Sequence, residues 1–290
     1  EAQMKLAATY TDWKDANGNA IVATEGGKGT PWRIYEGKTT PMLTALMKGT
    51  KRLAKVYDGN AFATTDPHIT LVNTGKDVGT YDAYSDQFGY DLIGGATIKP
   101  KSLTLSGVAA QSKTYDGTTA ADAAQFHATL NNVVTGEESL VQATATGAAY
   151  NDKNVAGANA VSYTGVALTG TGAGNYRIAA ATAQGAGTIT RRALTLGTVA
   201  AQTKTYDGNT LADASKFHAA LNNVVAGEEN SVKATATGAA YNDKNVAAAN
   251  TVNYTGVQLT GTGAGNYTLA ATTAQGAGSI TRRALTVGTV

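Results

Sequence analysis

Lys113-Thr114-Tyr115-Asp116-Gly117 (KTYDG) returns 91 residues later as Lys204-Thr205-Tyr206-Asp207-Gly208, and that return decides how the chain is read. Its surroundings return at the same interval. YNDKNV starts at Tyr150 and at Tyr241, GAGNY ends on Asn175-Tyr176 and on Asn266-Tyr267, and ITRRALT carries Arg191 and Arg282. Aligning 102–192 with 193–283 gives 70 identities in 91 positions. Self-similarity at a fixed interval has to be read before any local pattern, because it sets the unit that folds. A looser copy of the signature, Tyr57-Asp58-Gly59, stands upstream in a shorter segment.

The chain therefore divides into an N-terminal segment (1–31), a shortened β module (32–100), a first full repeat (101–192), a second (193–283) and the opening of another (284–290). The last rests on ALTVGTV at 284–290, which echoes ALTLGTV at 193–199. With no initiator Met and no charged-then-apolar leader, the expectation is a piece of a longer protein.

Composition narrows the class. A module of roughly 90 residues buries only about 60–65% of its unfolded surface, enough to stand alone but with modest stability. Glycine contributes 34 residues while charged residues make up 15%, a balance suited to many short strands joined by tight turns. A net charge of +2 without a basic run argues against nucleic acid. No apolar stretch approaches the ~20 residues of a membrane-spanning helix. The absence of cysteine excludes disulfides, thiolate metal sites and Cys nucleophiles.

In order, Asn17-Gly18 within 12–19 (DWKDANGN) signals a hairpin, with part of a calcium loop as the alternative reading of the same acidic stretch. Residues 25–30 read as a flexible connection. Trp32 and Ile34 alternate with Arg33 and Tyr35 before a turn at Glu36-Gly37, and Pro41 tips 41–47 towards strand over short helix. Ile69 to Val72 and Thr80 to Tyr84 read as strands, Lys76 to Gly79 echoes the DKNV turn, and 88–92 (FGYDL) stands where GNYRI and GNYTL stand later. In a full repeat, 102–106 alternates with period 2 as a half-buried strand. Thr119 to Asp122 matches a loose capping box, and Ala123, Phe126, Leu130 and Val134 fall at helical spacing, predicting a short helix over 120–131. Strands follow at 141–145, 160–166, 176–179 and 188–190. Residues 189–196 run from the last strand into the next first strand without a Gly/Ser tether, so one extended segment is expected to serve both neighbours and hold them stiffly.

These motifs resemble the YDG and MBG (mostly-β, glycine-rich) modules of large secreted bacterial adhesins of the filamentous-haemagglutinin type. The residues that carry the resemblance are Tyr115-Asp116-Gly117, Leu168-Thr169-Gly170, Gly174-Asn175-Tyr176 and Ile189-Thr190 with their partners 91 on, and Trp32 to Gly37 in the segment before them. One departure is Ala247-Ala248-Ala249, where Gly79 and Gly157 put glycine after the DKNV turn, which implicates turn geometry. The resemblance implies an exported protein at the bacterial surface, outer-membrane-associated, whose repeats act as stalk or adhesive surface towards a host or neighbouring cell.

Candidate chemistry is sparse. His127 and His218 are one repeat position beside Phe126 and Phe217, and with His68 they read as structural or surface residues, against a metal or catalytic role. Asp58, Asp116 and Asp207 read as turn acceptors, with Gly59, Gly117 and Gly208 supplying positive φ. Tyr115, Tyr150 and Tyr176 read as rings buried at strand ends with hydroxyls tied to backbone, with exposed rings stacking on sugars as the alternative, and Tyr57, Tyr206, Tyr241 and Tyr267 complete the same structural signature. A Lys–Asn or Lys–Asp crosslink would draw on Lys113, Lys153, Asp152 and Asn154. Mainly β modules, each a β-sandwich or a β-grasp-like sheet with one helix, forming an elongated monomeric rod without cofactor, are the expected architecture. The expected function is a non-enzymatic stalk. A multivalent carbohydrate-binding array is the alternative, and an attached hydrolase a third reading.

Overall fold

The computed structural model describes all residues except 24–30, 35, 36, 38, 47, 50–52, 72, 82, 86–89, 92–94, 289 and 290. The expectations at 25–30, Tyr35-Glu36, Met47, Val72, Phe88, Gly89 and Leu92 lie outside the described residues. The fold is mainly β, and the helices among the described residues are 3-10 segments of three or four residues.

Alternation makes the strands. In Ala160–Thr164 (AVSYT), Val161 and Tyr163 are buried while Ser162 and Thr164 face out, because successive side chains leave a strand on opposite sides. Each full repeat builds three small sheets. In the first, Lys101–Ser106 lies between Thr129–Asn131 and Tyr176–Ile178, and Gln142–Thr144 pairs with Ala167–Thr169. Gln111–Thr114, Thr182–Thr190, Ala160–Thr164 and Gly147–Tyr150 form a four-stranded sheet in that order. The second repeat rebuilds all three. In 32–100, Leu53–Val56, Ala96–Lys99 and Gly79–Tyr81 pair parallel then antiparallel, as the first three strands of the four-stranded sheet do. That segment is thus a shortened relative of the repeat.

The compact units cut across the repeats. One holds 1–107, 127–144 and 165–181; the other holds 108–126, 145–164 and 182–290. The first full repeat is therefore divided. Its three-stranded and two-stranded sheets, here termed the donor half, fold with 32–100. Its four-stranded sheet, the acceptor half, folds with the second repeat. In the first unit a single core joins Tyr57, Phe62, Ile69 and Ile98 to Leu103, Val141 and Tyr176 of the donor half. In the second, Phe217, Val252, Tyr254 and Ile280 pack with Leu196, Leu221 and Leu259. Sheets of two or three strands need a covered face to be stable. In the first unit the donor half finds that cover on the preceding sequence unit. The boundaries 101–192 and 193–283 mark the sequence period, not the compact body.

Thr182–Thr190 and Arg192–Val199 are separated by Arg191 alone, yet the first lies in an acceptor sheet and the second at the centre of the next donor sheet. Ala96–Lys99 and Lys101–Ser106 do the same around Pro100, whose missing N–H is tolerated where one ladder ends and another begins. Glycine matters inside the central strand too: a Cβ at Gly187 would sit 2.7 Å from the carbonyl carbon of Ala160.

The helix predicted over 120–131 does not form, and with it goes the β-grasp-like arrangement. Asp122, not Thr119, caps a single 3-10 turn, Ala123–Gln125, by accepting the Ala124 N–H at 2.9 Å. Gln111, itself buried, clamps the Asp122 backbone by accepting its N–H and donating to its carbonyl, both at 2.9 Å. The apolar positions then part company. Phe126 packs on Tyr163 in the second unit, while Leu130 sits in Thr129–Asn131 and joins the core of the first. A helix would have kept them on one face; instead the backbone turns extended at Phe126, directly after the 3-10 turn, and Leu130 is carried into a strand. The Ala247-Ala248-Ala249 departure leaves its turn unchanged, because the N–H groups of Ala248 and Ala249 bond the Asn245 carbonyl as those of Gly157 and Ala158 bond that of Asn154.

Replacing Gln202, the counterpart of Gln111, with Leu removes the partner of both Asp213 backbone groups. The expected cost is about 1–3 kcal/mol of unfolding free energy for the second unit, read by urea denaturation. An unchanged midpoint would mean the clamp is not what holds this turn.

Candidate functional site: the joint between consecutive repeats

The signature turn is self-contained. Lys113 Nζ donates to Asp116 Oδ1 at 2.7 Å, to the Thr118 carbonyl at 2.9 Å and to the Ala120 carbonyl at 2.9 Å. Asp116 also accepts the Thr118 N–H, and Gly117 takes φ +79°. Burial works against ionisation of Asp116, but Lys113 and Thr118 outweigh it and hold the carboxyl below its ordinary range. Lys55 with Asp58 and Gly59, and Lys204 with Asp207 and Gly208, build the same turn.

This turn aims Tyr115 away from its own repeat. The Tyr115 hydroxyl donates to Glu228 Oε1 at 2.6 Å, and the Tyr267 hydroxyl donates to Glu228 Oε2 at 2.7 Å. The two rings meet edge to face at 5.4 Å. Around them Val155 N–H donates to Asn266 Oδ1 (2.9 Å), Asn266 Nδ2 donates to Asn154 Oδ1 (2.9 Å), and Lys153 Nζ lies 4.0 Å from Glu228. Arg191 donates to the Gly265 carbonyl, and Arg192 to the carbonyl and side chain of Asn223. YDG, DKNV and the arginines thus come from one repeat, and the glutamate and GNY from the next.

The first unit holds the same joint one step earlier. Tyr57 and Tyr176 donate to Glu137 at 2.7 and 2.6 Å, their rings 5.3 Å apart. Val78 N–H reaches Asn175 Oδ1, Asn175 Nδ2 reaches Asp77, and Lys76 lies 3.8 Å from Glu137. Hydrogen bonds from Tyr176 and Tyr57 hold the Glu137 carboxyl below its usual range. At Glu228 burial pushes upward, and the bonds from Tyr115 and Tyr267 outweigh it. Burial and the glutamate together push Tyr176 and Tyr267 up to about 12, and raise Tyr57 and Tyr115 further.

Tyr115, Tyr150 and Tyr176 are buried as expected, as are Tyr57, Tyr241 and Tyr267, whereas Tyr206 of the same signature is 36% exposed. The hydroxyls of Tyr57, Tyr115, Tyr176 and Tyr267 donate to a carboxylate, and those of Tyr176 and Tyr267 are also tied to backbone, accepting the N–H of Val134 and of Val225 at 3.2 Å. Those of Tyr150 and Tyr241 find no hydrogen-bond partner among the described residues, although Lys113 and Lys204 stand over their rings. Glu137 and Glu228 were missed by sequence reasoning. Glu-Glu after a turn glycine reads as a solvated pair, and the partner Tyr115 lies 113 residues from Glu228. The 91-residue recurrence of GEE was the one signal available.

The other candidates stay apart from this site. His127 and His218 are exposed beside the buried Phe126 and Phe217. Asp15 spends its carboxylate on Asn17 and Asn19 within its own hairpin, where Gly18 has φ +82°. No group of three or more potential metal ligands occurs among the described residues. Lys153 is half exposed and Lys113 is committed to its own turn, so the groups a crosslink needs are not assembled.

Tandem β repeats that finish one another through a shared joint define a class of repeat protein. The YDG domain model matches twice in tandem, at residues 99–183 and 190–274, together more than half of the chain. The chain belongs to the YDG domain family. Comparison with curated proteins and with solved structures returns no match.

Glu228→Leu leaves two buried hydroxyls without an acceptor, and the expected loss is about 3 kcal/mol for the second unit. Tyr115→Phe should cost clearly less in that background than alone, and additivity in such a double-mutant cycle would sink the shared-acceptor reading. The glutamates, lowered on folding, contribute stability that is present above the ordinary carboxylate range near pH 4.3 and lost as pH falls through the folded value. The tyrosines, raised on folding, contribute stability present below about pH 10 and lost as pH rises towards 12. Thermal melts across pH should show both limbs, with the alkaline limb weakened in Glu228→Leu. Intact-mass measurement should return the sequence mass of the chain; a loss of water or ammonia per repeat would reinstate the crosslink.

Proposed function

We propose that this chain is a non-enzymatic structural and adhesive segment, the stalk region of a secreted bacterial surface adhesin that attaches cells or spaces a binding head from the surface. The observation that carries the reading is the joint. The recurring motifs, which in an enzyme would converge on a substrate, are here consumed in fastening each repeat to its neighbour. Two tyrosines and a glutamate, two asparagine side-chain bonds and a continuous strand-to-strand backbone tie consecutive repeats without disulfides. A segment so built can pass tension through parallel hydrogen bonds in several sheets.

The carbohydrate-binding alternative needs aromatic faces in water, row upon row. Tyr57, Tyr115, Tyr150, Tyr163, Tyr176, Tyr241, Tyr254 and Tyr267 are all buried. What favours the alternative is Trp13, 41% exposed, which meets Tyr10 and Trp32 edge to face at 5.0 and 5.5 Å in the N-terminal segment.

A rod of such units is expected to have a radius of gyration of roughly 35–40 Å, against about 19 Å for one globule of this length. Small-angle scattering near the lower figure would defeat the stalk. A glycan array should be silent or lose its signal in Trp13→Ala; binding that survives that change and maps to the repeats would promote the alternative.

A further inference from the structure

Two joints in the chain are complete, and a third is half built. Tyr206-Asp207-Gly208 repeats the signature turn, and with Asn245, Val246 and Arg282 it lines an open groove on the last repeat. Each of these residues has a counterpart whose partner is known. Tyr57 and Tyr115 are 1% exposed because a donor half covers them; Tyr206 is 36% exposed. A Cβ on Gly59 or Gly117 would meet Val134 or Val225 at 3.0 Å, whereas nothing lies within 4 Å of the same position on Gly208. Val155 and Asn154 bond Asn266, and Arg191 and Arg192 bond Gly265 and Asn223. Val246, Asn245, Arg282 and Arg283 present the same groups to the groove or its rim.

A second, independent observation comes from the strand beside the groove. Ala193-Leu194-Thr195 lies within the strand Arg192–Val199, and Leu194 is buried. The identical tripeptide at Ala284-Leu285-Thr286 forms no strand, with Leu285 91% and Val287 98% exposed. In the second repeat that strand is held by Ala219–Asn222 and Tyr267–Leu269, both of the donor half. Identical local sequence with opposite outcome means the missing ingredient is the flanking pair of strands.

We propose that this face is the receiving half of a joint whose occupant is the donor half of a YDG repeat, assembled on 284–287 as its central strand. The chemistry of the occupant follows from the two filled joints. It offers a glutamate in a GEE turn to accept the Tyr206 hydroxyl, a GNY tyrosine to meet the Tyr206 ring edge-on, and the asparagine before it to bond Val246 and Asn245. Arg282 and Arg283 would take its backbone carbonyls. The face is specific because ring, carboxylate and amide must arrive together, and any soluble apolar segment supplies only the first. The proposal rests on the joint geometry and is independent of the stalk reading.

The test extends the full chain past Val290 with a second copy of residues 200–283, so that 284–290 stands in for 193–199. Amide hydrogen exchange is followed at Val246 and Leu285 in both proteins. Extension is expected to slow exchange at both by about 100-fold or more, as when an open segment joins a cooperative unit. Glu228→Ala together with Asn266→Ala, made only in the appended copy, should return most of that protection while the copy's own four-stranded sheet stays protected. Unchanged exchange at Val246 and Leu285 beside a folded appended copy would overturn the proposal, as would protection indifferent to the two substitutions. Concentration-dependent protection in the unextended chain, with a dimer in sedimentation, would assign the face to a second copy and overturn it equally.

Discussion

Everything distinctive in this chain depends on one carboxylate accepting two tyrosine hydroxyls from consecutive repeats. Burying a tyrosine ring removes a large apolar area from water, but the phenol at its tip must find an acceptor. Glu228, and Glu137 before it, has two oxygens and serves both rings at once. Hydrogen bonds to a charged group are worth about 1.5–3 kcal/mol each, and an edge-to-face ring pair about 0.5–1.5. The lysines at 3.8 and 4.0 Å are half exposed and add little beside them. The hydroxyls decide the joint.

That constraint explains why the compact unit and the repeat disagree. The tyrosine of the YDG turn lies in one copy and its acceptor in the next, so the sheet of 32–100 and the acceptor sheet of the first repeat are each finished by the following donor half. In linear arrays stability is usually a sum of repeat terms and nearest-neighbour terms. Here the neighbour term includes part of the core itself, as the shared cluster of Tyr57, Ile98, Leu103, Val141 and Tyr176 demonstrates. A change in the signature turn therefore acts on two sequence repeats, and contacts 113 residues apart must form before either is whole.

Much of this architecture is local and was open to reading from residues. Lys113, Asp116 and Gly117 close their turn among themselves, so three neighbours in sequence specify it. The strand at Ala160–Thr164 announces itself by alternation, and the strand pair around Arg191 by the lack of any tether. The helix over 120–131 failed for a nonlocal reason. Spacing put Phe126 and Leu130 on one face, but Gln111, eleven residues before Asp122, clamps the Asp122 backbone, and Leu130 is drawn into a strand paired with Lys101–Ser106.

The sequence by itself determined the period, the β character, the YDG turns and the continuous junction, because each is set by residues within a few positions of one another or by exact recurrence. Only the tertiary structure decided which half of a repeat belongs with which neighbour, and which of the abundant polar side chains matter. Recurrence at 91 residues is the same whether Tyr115 faces Tyr176 in its own copy or Tyr267 in the next. The choice is made by packing. The acceptor sheet exposes a face that the chain's next donor strands, carried straight on through Arg191, are positioned to cover, and the glutamate becomes legible only when both tyrosines have arrived beside it.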